Sequence, residues 1–498
     1  MLHLPILRWG VPYTSVNQVV TPHFRTREPF VAMSQANIGL ISRDLLKQSE
    51  ARALLQRIPV AELVTIANRA ADHFLNDTLP LDPASGTMQT PQQYVEQVSA
   101  TTGMPFSNVR RNMAKVHGVL DRVEEVLAGL TRGLDLSVLD QGVGTVRGQM
   151  LSFFPRTEAL GVVLPSNSPG VHSLWAPTPV LKMPLVLKPG SAEPWTPLRI
   201  IQAWVKAGVP AGIFAYYPTD HAGGNEILHS TGRGMVFGDV GSTKRWKASG
   251  HVEVHGPGFS KVVIGPDVAD HWEQYIDVIA ESISNNGGRS CVNASGVWVT
   301  KHGDAIADAL ARKLATVIPR ASDDPAAVLA PFADPETGRR IAAMIDSDLA
   351  AESEITRATA GGASAAAGTA RTDGRRARDV SAMVRGSERV VSAHGGTYVL
   401  PTVIRCDAAH PLANREFLFP FASVVQVKAD ELPDCLGASL VVTCISNDPA
   451  FRARFVASPH VDRLNFGPLS TTQIGWDQPH EGNLFEHLYA RRAIQRLA

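Results

Sequence analysis

Cysteine is scarce in this chain: four in 498 residues, at Cys291, Cys406, Cys435 and Cys444. That is too few for a disulfide framework, and a reducing cytosol fits, so a cytoplasmic location is expected. None of the four forms a CxxC pair, and no histidine cluster stands at zinc spacing, so a metal site is not expected. Charge of one sign is also missing, with 47 Lys+Arg against 47 Asp+Glu. Nucleic-acid binders carry a basic excess, and nothing here predicts attraction to an anionic membrane. No apolar run approaches the ~20 residues of a membrane span; the longest, around Ser439–Ile445, is strand-sized. The opening MLHLPILRWGVPYTSV has no basic stretch followed by an apolar one, so no signal peptide is expected. No internal repeat is found.

What is present is a globular balance, 44% hydrophobic and 19% charged, in a chain long enough for two to four domains. Apolar residues recur at helical spacing over 44–78 and again over about 91–131, where Gly103, Met104 and Pro105 predict a break. Over 140–158, Gly142, Gly144 and Gly148 alternate with Val and Arg before LSFFPR, which predicts a hairpin. From 160 to 265 short apolar runs (ALGVVLP, PLVLKPG, FAYYP, GMVFGD, KVVIGPD) alternate with helical stretches, among them TPLRIIQAWVKAGVP. This is the pattern of a parallel sheet with helices on both faces, and such sheets hold ligands at the carboxyl ends of their strands. The style resumes with a helix to about Ser284, a strand GVWVTK and an amphipathic helix over 303–317. The Ala/Gly-rich stretch 358–379 reads as a solvated loop or frayed helix, and the last residues as an amphipathic tail.

Several residues could carry chemistry. Cys291 follows Asn285-Asn286-Gly287-Gly288, a turn that lets backbone approach a ligand, and precedes a strand. A thiol there could act as a nucleophile, with its own N–H aimed at a developing oxyanion, though a lone cysteine is more often inert packing. Asn167, just past a strand in LPSNSP, is a neutral donor for an oxyanion or simply a turn residue. Lys188 ends a strand, where it suits a ribose or phosphate. Gly238, Gly241 and Ser242 lie where a strand gives way to a helix, a place for a pyrophosphate, although no GxGxxG is present.

In order, LPSNSP, VLKPG, VFGDVGST, HGPGFSKVVI, NNGGRSC, GGTYVLPTVI, REFLFPF and RLNFGP resemble the aldehyde dehydrogenase superfamily over roughly residues 45–490. The resemblance implies an α/β fold with a Rossmann-like cofactor domain, an α/β catalytic domain and a β-hairpin oligomerisation arm. Mapped here, 1–137 with 159–264 would bind NAD(P), 138–158 would be the arm, 265–469 the catalytic domain and 470–498 an oligomerisation tail. Cys291 would be the nucleophile and Asn167 the oxyanion donor. Lys188 would hold the adenosine ribose, Gly241 and Ser242 the pyrophosphate, and Glu416 the nicotinamide ribose.

Departures from the family pattern sharpen the expectation. Hydrolytic members carry a glutamate in an ELGGK-like motif to activate water; here VHGPGFSK leaves His255 nearest that position. The GPG, and the RLNFGPLSTTQIG stretch, look more like CoA-acylating members, in which a thiol takes the acyl group. The favoured reading is therefore interconversion of an aldehyde and an acyl-CoA. The alternatives are a hydrolytic enzyme with His255 as general base, or a catalytically silent relative. Glu253, one strand step away, would face elsewhere unless a bulge returned it. Ser191 stands where NAD-selective relatives have a glutamate, so NADP is tolerated as well as NAD. Partners expected are a small aldehyde or acyl thioester and further copies of the chain, as homodimer or homotetramer. Trp175, Phe259, Trp298 and Phe466 are candidate aromatic walls for an apolar acyl chain.

Overall fold

The computed structural model describes residues 1–360 and 377–495. Most of the stretch 358–379, read above as loop or frayed helix, lies outside the described residues. The chain divides into two compact units, one made of 1–102, 109–256 and 474–498, the other of 103–108 and 257–473.

The first unit is built on a seven-stranded sheet: β1 (Ile6–Arg8), β2 (Val11–Tyr13), β3 (Leu160–Val163), β4 (Leu185–Lys188), β5 (Phe214–Tyr216), β6 (Arg233–Phe237) and β7 (Val252–His255). Their order is β7-β6-β3-β4-β5-β1-β2. The strands β3 to β7 run parallel, while β1 and β2 add on antiparallel at one edge. The chain moves outward from β3 through β4 to β5, then returns to the other side of β3 for β6 and β7. That reversal is a topological switch point. Helix α1 (Val60–Asn76) starts after Pro59 and buries Leu63, Ile66, Ala67, Ala70 and Phe74, the 3.6-residue stripe visible in the sequence. It packs on α2 (Trp195–Ala207), which ends at Gly208 as expected. The 140–158 region forms the hairpin, Val143–Val146 with Gln149–Pro155, and the tail contributes a third strand, Tyr489–Arg492.

The second unit has its own seven-stranded sheet: β8 (Ser260–Ile264), β9 (Ala294–Val299), β10 (Ala377–Asp379), β11 (Thr402–Cys406), β12 (Phe421–Gln426), β13 (Ser439–Ile445) and β14 (Val461–Phe466), in the order β10-β11-β12-β9-β8-β13-β14. All pairs are parallel except β10 with β11. The central strands β8, β9 and β13 are buried along their whole length, which explains why they read as unbroken apolar runs. Helices α3 (Ile276–Ser284) and α4 (Gly303–Leu314) cover one face through Ile279, Ile283, Ile306 and Leu310.

Three expectations are corrected. KVVIGPD belongs to the second sheet, so the boundary falls at Gly256/Pro257 and not after 264. The single helical stretch 44–78 is three helices, Ile38–Leu45, Gln48–Gln56 and Val60–Asn76, and Pro59, which cannot donate within a helix, separates the second from the third. Trp175 and Trp298 are wholly buried in the packing of their units, so neither walls an acyl site. Among the described residues, no helix is long and apolar enough to cross a membrane.

Leu310→Ala should leave a cavity beneath the second sheet and cost about 2–5 kcal/mol. A urea titration following that unit's tryptophan signal checks this; an unchanged midpoint contradicts it.

Candidate functional site

In the first unit, three candidate segments sit at the carboxyl ends of β3, β4 and β6, the strands flanking the switch point. Past β3, Leu164 donates its N–H to the Lys188 carbonyl at 2.9 Å, and the Ala192 N–H reaches Ser166 Oγ at 3.1 Å. The two loops are thus stitched together. Asn167 lies between, half-buried, its Oδ1 screened from solvent. Lys188 ends β4; burial pushes its ammonium below the usual lysine range, against the pull of Asp220. Ser191 is exposed, and its carbonyl accepts from Thr21 Oγ1 at 3.1 Å.

Past β6, Gly238, Gly241 and Ser242 enter a helix of four residues, Val240–Thr243. Its N-terminus is capped by Asp239, which accepts the Ser242 N–H at 2.7 Å, and that bond holds the carboxyl below its usual range. The donors expected to meet a pyrophosphate therefore already meet a carboxylate. Sequence reasoning passed over Asp239, although Asp before Val-Gly-Ser is an ordinary N-cap signal.

His255 ends β7 and is 5% exposed. Its ring stacks on Phe237, with centroids 4.5 Å apart. Nδ1 faces Glu481 Oε2 at 2.7 Å and Nε2 faces Glu253 Oε1 at 3.1 Å. Burial alone would lower its pKa, but the hydrogen bonds to Glu253 and Glu481 outweigh burial and raise it to about 9. A carboxylate beside each nitrogen favours the protonated ring, the form with no lone pair to take a proton from water. This arrangement disfavours the general-base role considered for His255. Glu253 does not face away: it lies on the same side of β7 as His255, and Gly482 packs against its carboxylate. His487 Nδ1 approaches Glu253 Oε2 at 3.8 Å.

In the second unit the candidate residues gather at the amino ends of the strands, with Cys291 before a strand as its sequence context indicated. Cys291 lies three residues before β9 and is half-buried against Val292, Leu440 and Val441. The turn before it runs Asn286, Gly287, Gly288 at φ of 56°, 67° and 68°. A Cβ on Gly288 would stand 2.3 Å from the Phe419 carbonyl carbon, so only glycine fits. Asn293 braces the turn, accepting from the Ser290 N–H and donating to the Ser282 and Asn285 carbonyls. Arg289 points inward, donating to the Ala330 and Pro331 carbonyls and lying 5.0 Å from the Phe332 ring; burial lowers it to about 10. Its presence in the motif is thus structural. Gly258 packs directly on Cys291, since a Cβ there would be 2.1 Å from the Cys291 carbonyl oxygen. Ser260 Oγ donates to that same oxygen at 2.8 Å. Glu416 Oε2 accepts the Phe259 N–H at 2.7 Å. Among the described residues no group of three His, Cys, Asp or Glu side chains could hold a metal.

An α/β unit with a switch point, and a second carrying a thiol on a glycine turn, define the class: a two-unit α/β enzyme of the dehydrogenase kind. The sequence model of the Aldehyde dehydrogenase family matches residues 87–432, and the chain belongs to that family, enzymes that oxidise or form aldehydes with a nicotinamide cofactor. Solved structures share the fold. The aldehyde dehydrogenase KauB of Pseudomonas aeruginosa is 15% identical at a TM-score of 0.76, over 99% of this chain and 96% of that one. PnpE of Pseudomonas sp. WBC-3 is 14% identical at 0.75, over 100% and 99%. An indole-3-acetaldehyde dehydrogenase solved with NAD+ is 16% identical at 0.74, over 99% and 96%.

The His255 pair sets a pH window. Its folded pKa, about 9, lies above the unfolded 6.5. The stabilisation, about 3 kcal/mol, is complete below pH 6.5 and lost as pH rises through 9. Urea midpoints of wild type and His255→Gln measured across that range should converge toward pH 9; a constant gap contradicts the assignment.

Proposed function

We propose that the chain is an NAD(P)-dependent acylating aldehyde dehydrogenase, interconverting an aldehyde and an acyl-CoA through a thioester on Cys291. The observation that carries this is the state of His255. Where hydrolytic relatives place a water-activating carboxylate, this chain holds a buried imidazole set between two glutamates, 2.7 and 3.1 Å from its nitrogens. Water attacks a thioester slowly without a base, whereas the CoA thiol is a competent nucleophile near neutral pH.

In the proposed reaction the Cys291 thiolate attacks the aldehyde carbon. The resulting hemithioacetal oxygen is stabilised by the Cys291 N–H and by the Asn167 amide. Loss of hydride leaves the acyl thioester, and CoA then displaces Cys291 to give acyl-CoA. The nicotinamide dinucleotide supplies the hydride acceptor when bound. Lys188 and exposed Ser191 would hold its adenosine ribose, and Glu416 the nicotinamide ribose. The stitched loops past β3 and β4 suit this role; the Asp239 cap means that a pyrophosphate at Gly238, Gly241 and Ser242 would have to displace or sit beside a carboxylate. With serine at 191, no acid repels a 2′-phosphate, which supports use of NADP as well as NAD. The 143–155 hairpin, with its tail strand, is the proposed oligomerisation arm.

A hydrolytic reading would need Glu253 or Glu481 to leave His255 and act as base. Purified enzyme given aldehyde and NAD+ or NADP+ separates the two: reduced cofactor should exceed one equivalent per Cys291 only with CoA. Multiple turnovers without CoA would favour the hydrolytic reading. Cys291→Ala should be folded and inactive, and Asn167→Ala should lose roughly 10²-fold or more in kcat; retained turnover in either rejects its assigned role. No cofactor binding and no turnover at all would favour the silent relative.

A further inference from the structure

Lys261 is a buried amine that the reaction above does not use. It is 1% exposed, and its Nζ donates to the Phe259 carbonyl at 2.7 Å and to Ser439 Oγ at 2.9 Å. Burial lowers its pKa to about 8, with Glu416 pulling the other way. Burying an ammonium is expensive, so a position that keeps one needs a reason beyond filling space.

The reason lies one residue away. Phe259 has φ +47°, in the left-handed region that a bulky side chain rarely adopts. Such a conformation is costly for a residue with a side chain and persists only where the surroundings impose it. Here both peptide groups of Phe259 are gripped. Its N–H is held by Glu416 and its carbonyl by Lys261. The residues on either side then meet the same atom: Gly258 packs against the Cys291 carbonyl oxygen, and Ser260 Oγ donates to it. The Gly258 carbonyl is fixed in turn by the Leu440 N–H at 2.7 Å. The torsion at Phe259 therefore sets how the loop seats against the backbone of Cys291.

We propose that Lys261, together with Glu416, is a positioning residue that holds Phe259 in its left-handed conformation and so fixes the backbone that presents the Cys291 thiol. The proposal rests on the reading of Cys291 as nucleophile. It also gives Glu416 a second duty, through the same carboxylate proposed to hold the nicotinamide ribose.

A double-mutant cycle tests it. Lys261→Met should lower kcat by roughly tenfold or more, with the KM for the dinucleotide changed by less than about twofold. Glycine adopts φ near +47° without being held, so in a Phe259→Gly background the same replacement should cost less than roughly threefold. A lysine that merely stabilises the core would show equal losses in both backgrounds, and that result overturns the proposal, as does an unchanged kcat in Lys261→Met. If Lys261→Met does not fold, Ser439→Ala, which removes one partner of Nζ, runs the same cycle with a smaller first loss. Cys291→Ala keeps the two ideas apart. Turnover in that variant defeats the nucleophile reading, whereas an inactive Cys291→Ala beside a fully active Lys261→Met defeats the clamp alone.

Discussion

The chemistry assigned to this chain turns on one buried contact: an imidazole between two carboxylates at the end of β7. Histidine is chosen as a base because its ordinary pKa lies near neutrality. Glu253 and Glu481 change that property by setting a carboxylate beside each nitrogen, and Phe237 stacks on the ring. The two carboxylates raise its pKa to about 9 and so favour a positive charge between two negative ones. It ties Glu481 of the C-terminal segment to an edge strand of its sheet, a structural duty. The acylating reading is the chemistry that does not call on His255 as a base.

The two sheets use opposite ends. In the first, the candidate cofactor residues follow the rule for open parallel sheets and lie beyond the carboxyl ends of β3, β4 and β6. In the second, Cys291, Phe259, Glu416 and Ser439 lie at or before the amino ends of β8, β9, β12 and β13. Close packing makes this second cluster rigid: the turn at Gly288 admits no side chain, and Gly258 seats directly on the Cys291 carbonyl. Small residues here bring backbone to backbone, and the one large residue between them, Phe259, is held in a conformation it would not choose.

Much of this was legible in the residues. The runs from 160 to 265 showed their strands because each is short, apolar and closed by Pro or Gly, and α1 showed its stripe. The strands β1 and β2 did not show, because three-residue strands carry no period and WG and VP read as loop. The unit boundary was missed because β8 reads like β3 and β4; only its neighbours in space, β9 and β13, reveal its sheet. Order and spacing of eight motifs pointed to the family. They could not show that Arg289 turns inward or that Trp175 and Trp298 are core, since each depends on partners distant in sequence. His255 stood out in the residues as a departure from the family pattern, but its surroundings include Glu481, 226 residues away, and no local pattern announces that contact.

The most direct test is the fate of the acyl group on Cys291. Enzyme mixed with aldehyde and NAD+ or NADP+, without CoA, is quenched at intervals and its intact mass and Cys291 peptide are measured. The account predicts an acyl adduct on that peptide that persists and disappears promptly when CoA is added. Free carboxylic acid formed over many turnovers with no lasting adduct would contradict it.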